Sequence, residues 1–280
     1  MTRHLRHALA HRGRRMLLLL LGASLVAWFP LTAGSVYSSP VKLDVPYVPT
    51  PHQVVAKMLE MANVGPSDFL IDLGSGDGRI AIAAVRDHDA RGAFGVDLNP
   101  ERIAEARANA QAEGVADRVT FKQADLFDTD LSGATVISMY LLPSVNLKLR
   151  PRLLDMPPGT RIVSHAFDME DWAPDQFEQV GNLDIFFWTV PAQVNGKWMI
   201  SGPDGDFQID VTQQFQILSG EALLPGQAPG TVKGIMRGEI MQFDVDDGRT
   251  TRRYVGRVAG DSIVAVREAG AQQDWSARRP

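Results

Sequence analysis

Three acids, Asp72, Asp97 and Asp125, each follow or end an apolar run that reads as a strand. The first lies in "FLIDLGSGDGRIAIAA" (69–84), where Asp72, Gly74, Gly76 and Gly78 spell D-x-G-x-G-x-G. Glycines at alternate positions let a backbone turn tightly and approach a ligand with no Cβ in the way. The helix beyond them offers unpaired N–H groups. Dinucleotide enzymes space their glycines G-x-G-x-x-G, and no lysine follows as in G-x-x-x-x-G-K-[ST]. The carboxylates of Asp72 and Asp77 would repel a pyrophosphate, whereas an amino group and a sulfonium would suit them. Asp97 lies 25 residues after Asp72, where a carboxylate can accept hydrogen bonds from both ribose hydroxyls. Asp125, in "QADLF", is placed to accept from an adenine amino group. The residues read as a cradle for an adenosine ligand that carries an amino group and a sulfonium.

Strands and helices in alternation must hold these acids. Thr50-Pro51 reads as a cap and first turn, followed by Val54, Val55, Met58, Leu59 and Ala62 at helical spacing. "FLIDL" (69–73), "GAFGVDL" (92–98), "RVTFKQAD" (118–125), "ATVISMYLL" (134–142) and "TRIVSHAF" (160–167) read as strands. Helices are expected over 78–87, from Asn99-Pro100 to about 113, and over 144–154. Repeated strand–helix–strand units imply a parallel sheet with helices on both faces and ligands at the carboxyl ends of the strands. "LDIFFWTVPAQ" adds a further strand. From Gly196 onward only short strand candidates appear, separated by glycine and acid turns, as in a small β-barrel or sandwich. Gly234/Gly238 and Gly256/Gly260 sit in similar settings and hint at a hairpin repeat. "GKW" at 196–198 resembles the start of lipocalin-like barrels.

The residues at 46–190 resemble the class I S-adenosylmethionine-dependent methyltransferases, which implies a Rossmann-like seven-stranded α/β sheet. "YVPTPHQVVAKMLEMANV", "DLGSGDGRIAIAA" and "GVDLNP" further resemble the lysine methyltransferases of the ATP synthase c-subunit and related membrane-anchored proteins. That resemblance implies that Tyr47 and Thr50 close over the methionine end of the cofactor and that Asp72 and Gly74 hold its amino group. Asp97 would hold the ribose and Asp125 the adenine. Ser75, Gly76, Asp77, Gly78, Leu98 and Leu126 complete the cofactor-binding candidates. The family more often has glutamate where this chain has Asp97.

Methyl transfer needs an acceptor aligned with the methyl group, with no metal or covalent nucleophile. Tyr140 and Asn146, in "SMYLLPSVN", are the candidate contacts to the acceptor. A lysine acceptor must first lose its proton, helped by desolvation or a nearby acceptor group. An N-P-P-Y-type loop is absent, which disfavours a DNA-adenine substrate. His165 reads as a packed or hydrogen-bonded histidine, and Trp172, Trp188 and Trp198 as core or hinge.

Charge separates the first residues from the rest. Residues 1–15 carry five arginines and no acid, leaving 23 basic against 33 acidic residues, or −10, in the remainder. An acidic body argues against a general nucleic-acid binder. Residues 1–34, with an apolar stretch from Met16 to about Leu31, read as a signal peptide or membrane anchor, or alternatively as a mitochondrial presequence. Either of the first two puts the body at or across a membrane, on the periplasmic side if bacterial. Residues 35–49 read as a linker, 50–190 as the methyltransferase domain and 191–280 as the β-rich domain. The acceptor is expected to be a protein lysine, with a small molecule or lipid as the alternative. An exported binding protein without turnover is a third reading. There is no cysteine, which removes disulfides and thiolate chemistry together.

Overall fold

The structure is a computed structural model and describes residues 47–203 and 205–280. The expected leader or anchor and most of the expected linker lie outside the described residues. Among the described residues, no helix is long and apolar enough to cross a membrane.

The first half runs α1 (His52–Met61), β1 (Phe69–Leu73), α2 (Arg79–His88), β2 (Gly92–Asp97), α3 (Pro100–Ala112), β3 (Val119–Gln123), β4 (Val136–Met139), α4 (Pro143–Leu154), β5 (Arg161–His165), β6 (Gln176–Val180) and β7 (Leu183–Thr189). Its strands form one seven-stranded sheet in the order β3-β2-β1-β4-β5-β7-β6. The first five are parallel, while β7 runs antiparallel to both β5 and β6. The sheet is therefore mixed rather than wholly parallel. Gly181-Asn182 is too short for a crossover and makes a hairpin, with Gly181 at φ +66. β6 was not expected from the sequence, because it lies at the sheet edge, exposed along nearly its whole length.

Alternation along the strands feeds two cores. Leu70, Ala93, Val136 and Val163 face α1, α2 and α3. Ile71, Val96, Ile137 and Ile162 face α4, Trp172 and Trp188. Helix starts follow the expected chemistry at α3, where the Asn99 side chain accepts from the Glu101 N–H at 2.8 Å and Pro100 follows. They depart from it at α1. Pro51 takes the cap position with no side-chain cap bond, and the Thr50 hydroxyl turns to His165 instead.

The second half is all strand: β8 (Gly196–Ser201), β9 (Phe207–Gln214), β10 (Ile217–Leu223), β11 (Gly230–Arg237), β12 (Ile240–Asp246), β13 (Thr251–Ala259), β14 (Ser262–Ala265) and β15 (Ser276–Arg278). Each pairs antiparallel with the next, and β15 returns to β8, giving a closed barrel rather than a sandwich. Arg279, just past β15, lays its guanidinium over the Trp198 ring of β8, 4.5 Å from the centroid. The interior is filled. Phe243 stacks on Tyr254 at 5.0 Å, and Trp275 meets both rings edge-on at 5.7 and 5.3 Å. The glycine repeat has a physical basis. Gly234 and Gly256 admit Phe243 and Ile263 where a Cβ would collide, while Gly238 and Gly260 turn the hairpins at φ +59 and +57.

The barrel packs on the sheet away from the strands' carboxyl ends. The Gly238 turn lies against Gly159 and Thr189, at the amino end of β5, and the Ala192 N–H donates to the Gly238 carbonyl at 2.8 Å. Phe215 stacks on Trp172 at 6.0 Å under the guanidinium of Arg150. The Gln216 amide donates to the Ala173 carbonyl at 2.7 Å. Trp172, Trp188 and Trp198 are all fully buried, as core residues.

Candidate active site

A cleft of about 940 Å³ opens at the carboxyl ends of β1, β2 and β4, and no barrel residue lines it. The glycine loop forms its floor. Gly74, Gly76 and Gly78 all have left-handed φ, at +77, +52 and +82. The N–H groups of Gly74 and Ser75 both donate to the Val96 carbonyl, at 2.9 and 2.8 Å, tying the loop to β2. The Gly76 N–H donates to Asp97 Oδ2 at 3.0 Å.

Asp72 is buried at the root of this loop, with 2% of its surface exposed. Its Oδ1 accepts from the Ser138 hydroxyl at 2.8 Å, while Oδ2 has no hydrogen-bond partner among the described residues. Burial pushes its carboxyl up to about 7; the Ser138 hydrogen bond opposes this, and the charges of Asp77 and Asp97 add to it. The buried Ser75 hydroxyl in the same wall also lacks a partner among the described residues. An orphaned carboxylate oxygen beside backbone stripped of Cβ atoms fits a ligand that brings its own ammonium.

Asp97 and Asp125 line the same cleft. Asp97 Oδ1 accepts from the Asn99 N–H and Asp125 Oδ1 from the Phe127 N–H, both at 2.8 Å. These bonds fix the carboxylates and leave lone pairs for ligand hydroxyl or amino groups. Leu98 and Leu126 supply apolar wall between them.

The fourth side is the segment 47–50. Tyr47 covers Gly76 so closely that a Cβ there would lie 2.5 Å from its ring. The Arg102 guanidinium sits over the same ring, 4.7 Å from the centroid. Burial and the charge of Asp77 raise the Tyr47 phenol. Thr50 is buried, and its carbonyl accepts from Arg79 Nη1 at 2.8 Å.

Three expected site residues stand behind the wall rather than in it. The Asp77 carboxylate is gripped by Arg79, with Nε donating at 2.9 Å to Oδ1. Burial acts to raise this carboxyl, but the Arg79 hydrogen bonds and charge outweigh it and hold it below its usual range. Gly78 starts α2, where a Cβ would overlap Phe121 and Ala106. Asn146 is fully buried and donates from Nδ2 to the Phe167 and Asp168 carbonyls, both at 3.2 Å, pinning the loop after β5. These three brace the site. Tyr140 does line the cleft, beside Leu141 and Val145. The sequence reading missed Arg79, Asn99, Arg102 and Phe127, which also line it. Among the described residues, no group of histidines and acids could hold a metal ion.

A glycine cradle with an orphan carboxylate, two further acids at strand ends and a seven-stranded mixed sheet define an S-adenosylmethionine-dependent methyltransferase. The family described as ANTKMT methyltransferase domain matches residues 72–176. A protein-lysine N-methyltransferase of Saccharolobus islandicus is 47% identical over 143 residues, 50% of this chain and 89% of that protein. The mouse adenine nucleotide translocase lysine N-methyltransferase is 36% identical over 48% of this chain, which spans only 58% of its length. A Salinibacter ruber enzyme described as an RNA methyltransferase, solved with S-adenosyl-L-homocysteine, is 52% identical. It superposes with a TM-score of 0.51 over 52% of this chain and 96% of its own. The chain belongs to this methyltransferase family.

Proposed function

We propose that the chain methylates lysine side chains of a protein, using S-adenosylmethionine held by Asp72, the Gly74–Gly76 turn, Asp97 and Asp125. The observation that carries the acceptor class is the 47% identity to a protein-lysine N-methyltransferase over 89% of that protein. The cofactor supplies an activated methyl group on sulfur. The chain's own work is to hold the cofactor and to strip an amine of its proton and its water. Tyr140, Leu141 and Val145 give the wall beyond the carboxylates a largely apolar face, against which an ammonium loses its proton more readily than in water.

RNA is the second reading, since the Salinibacter ruber relative is described as an RNA methyltransferase. The electrostatics support protein instead. The two arginines of the cleft wall, Arg79 and Arg102, are each paired with an acid, Asp77 and Glu105. The sequence after residue 15 carries a net −10, from 23 basic and 33 acidic residues. Neither feature provides the surplus of basic groups that a phosphate backbone attracts.

The arginine-rich, apolar residues 1–34 support a membrane-side location and a membrane-associated acceptor, by the same pattern that marks signal sequences and anchors. The decisive experiment incubates the full chain with radiolabelled S-adenosylmethionine and three fractions of its source cells, prepared from a deletion strain: membrane proteins, soluble proteins and total RNA. Label in membrane protein that digests to methylated lysine is the expected result. Label confined to RNA would replace the lysine reading with the RNA one.

A further inference from the structure

His165 is a buried histidine that touches the cleft wall at two points without lining the cleft itself. Its Nδ1 shares a hydrogen bond of 3.2 Å with the Thr50 hydroxyl. Its ring lies 4.0 Å, centroid to centroid, from the Tyr140 ring at a tilt of 43°. Thr50 and Tyr140 are both wall residues, one from the segment over the cofactor cradle and one from the acceptor side. Nothing in the methyl-transfer chemistry so far gives His165 a part.

Packing alone is a poor account of it. Its Nε2 has no hydrogen-bond partner among the described residues, and a buried polar atom without one is costly. A leucine or phenylalanine would fill the space without that cost. The Thr50 hydroxyl, one residue ahead of the cap position that Pro51 takes, makes its side-chain hydrogen bond to His165. Thr50 is also held from its other side, by Arg79 Nη1 on its carbonyl, and Arg79 in turn grips Asp77 of the glycine loop. Contacts therefore run unbroken from the glycine loop through Thr50 and His165 to Tyr140.

We propose that His165 is a positioning residue for methyl transfer, hooking Thr50 with its Nδ1 and bracing the Tyr140 ring with its face, so that one side chain sets both the cofactor cover and the acceptor wall. The inference rests on the cleft being the cofactor site. Wild-type binding of S-adenosylmethionine tests that premise separately.

Two substitutions divide the two contacts. His165→Phe keeps a ring against Tyr140 and loses the hook. His165→Asn keeps a polar atom near the Nδ1 position and loses the ring. S-adenosylmethionine affinity is read by calorimetry. The Tyr140 environment is read by fluorine NMR of protein labelled with 3-fluorotyrosine, in which the sequence has only four tyrosines and Tyr140→Phe assigns the signal. The Phe variant should bind the cofactor about fivefold more weakly, the loss of one hydrogen bond, with the Tyr140 signal in place. The Asn variant should bind within about twofold of wild type, with the Tyr140 signal moved. Thr50→Val should match the Phe variant, and combining the two should cost no more than either alone. Equal weakening in both His165 variants, no weakening in either, or an additive Thr50–His165 pair would overturn the proposal. If neither His165 variant folds, Thr50→Val and Thr50→Ser carry the test. Weakening by valine with recovery by serine supports the hook, and unchanged binding by the valine variant refutes it.

Discussion

The barrel interior and the carboxyl edge of the α/β sheet both arise from strands whose residues alternate between two faces, yet they use the inward positions differently. In the barrel these positions carry Phe243, Tyr254 and Trp275, whose rings pack against one another. At the sheet edge the corresponding volume is withheld. Three glycines at positive φ omit their side chains, and a carboxylate and a hydroxyl are buried with atoms that have no partner among the described residues. Stability favours the first arrangement and binding needs the second. The two are kept apart, since no barrel residue lines the cleft.

The largest expected effect strikes the filled side. Trp275→Ala should cost about 3–5 kcal/mol of stability, read by chemical denaturation, because it empties the middle of the aromatic cluster. S-adenosylmethionine affinity of the folded variant should stay within about twofold. A parallel loss of affinity would break the separation between the two regions. On the withheld side, Asp72→Ala should weaken S-adenosylmethionine binding about a hundredfold in calorimetry, the worth of a charge-assisted hydrogen bond to an ammonium. Thermal stability should hold or rise, since a buried orphan carboxylate is gone. Retained affinity would mean the cofactor sits elsewhere.

A third effect depends on pH. Asp72 binds the ammonium as a carboxylate, and its pKa in the empty cleft is raised to about 7. Affinity should therefore climb from pH 5 to pH 7, approaching tenfold per unit well below 7. It should fall again above about pH 8 as the cofactor's own amino group deprotonates. The stability of the empty protein should move the other way. A carboxyl whose folded pKa lies above its ordinary value contributes most at low pH, and that contribution declines as pH rises through 7. Asp72→Asn should flatten both profiles. The smallest effect is expected from Gly76→Ala, which places a Cβ against Tyr47 at a φ of +52. It should cost about 1–2 kcal/mol of stability and weaken the cofactor about fivefold by lifting Tyr47. Unaltered affinity would show that Tyr47 adds nothing to the cover.

Much of this was legible because the signals are local. The D-x-G-x-G-x-G string and the acids after apolar runs are read from a few neighbouring residues, and Asp72, Asp97 and Asp125 do meet in one cleft. What was not legible depends on distant partners. Asp77 looked like a ligand contact because it sits in the loop; Arg79, two residues on, claims it, and what the fold adds is the Thr50 carbonyl, 29 residues earlier, that holds the same guanidinium. Asn146 looked accessible beside Tyr140, but the helical turn of α4 points it inward to the loop after β5. Arg102 and Phe127 carry no motif and reach the cleft through the placement of α3 and the loop after β3. Barrel closure was equally hidden, since β15 pairs with a strand about 75 residues earlier. β6 escaped because a strand exposed along its length shows no alternation.

That strand bears on how the protein behaves in concentrated solution. β6 ends the sheet order, so among the described residues one of its sides has no strand partner, and Phe177 beside it is half exposed, at 50%. In "QFEQV" the only charge is Glu178, at mid-strand. When two copies meet edge to edge, their like charges oppose each other across the new pairing. Glu178 is thus the one charge within the strand that opposes such pairing. Replacing it with a neutral residue would leave a short, uncharged, strand-prone edge on which molecules can stack.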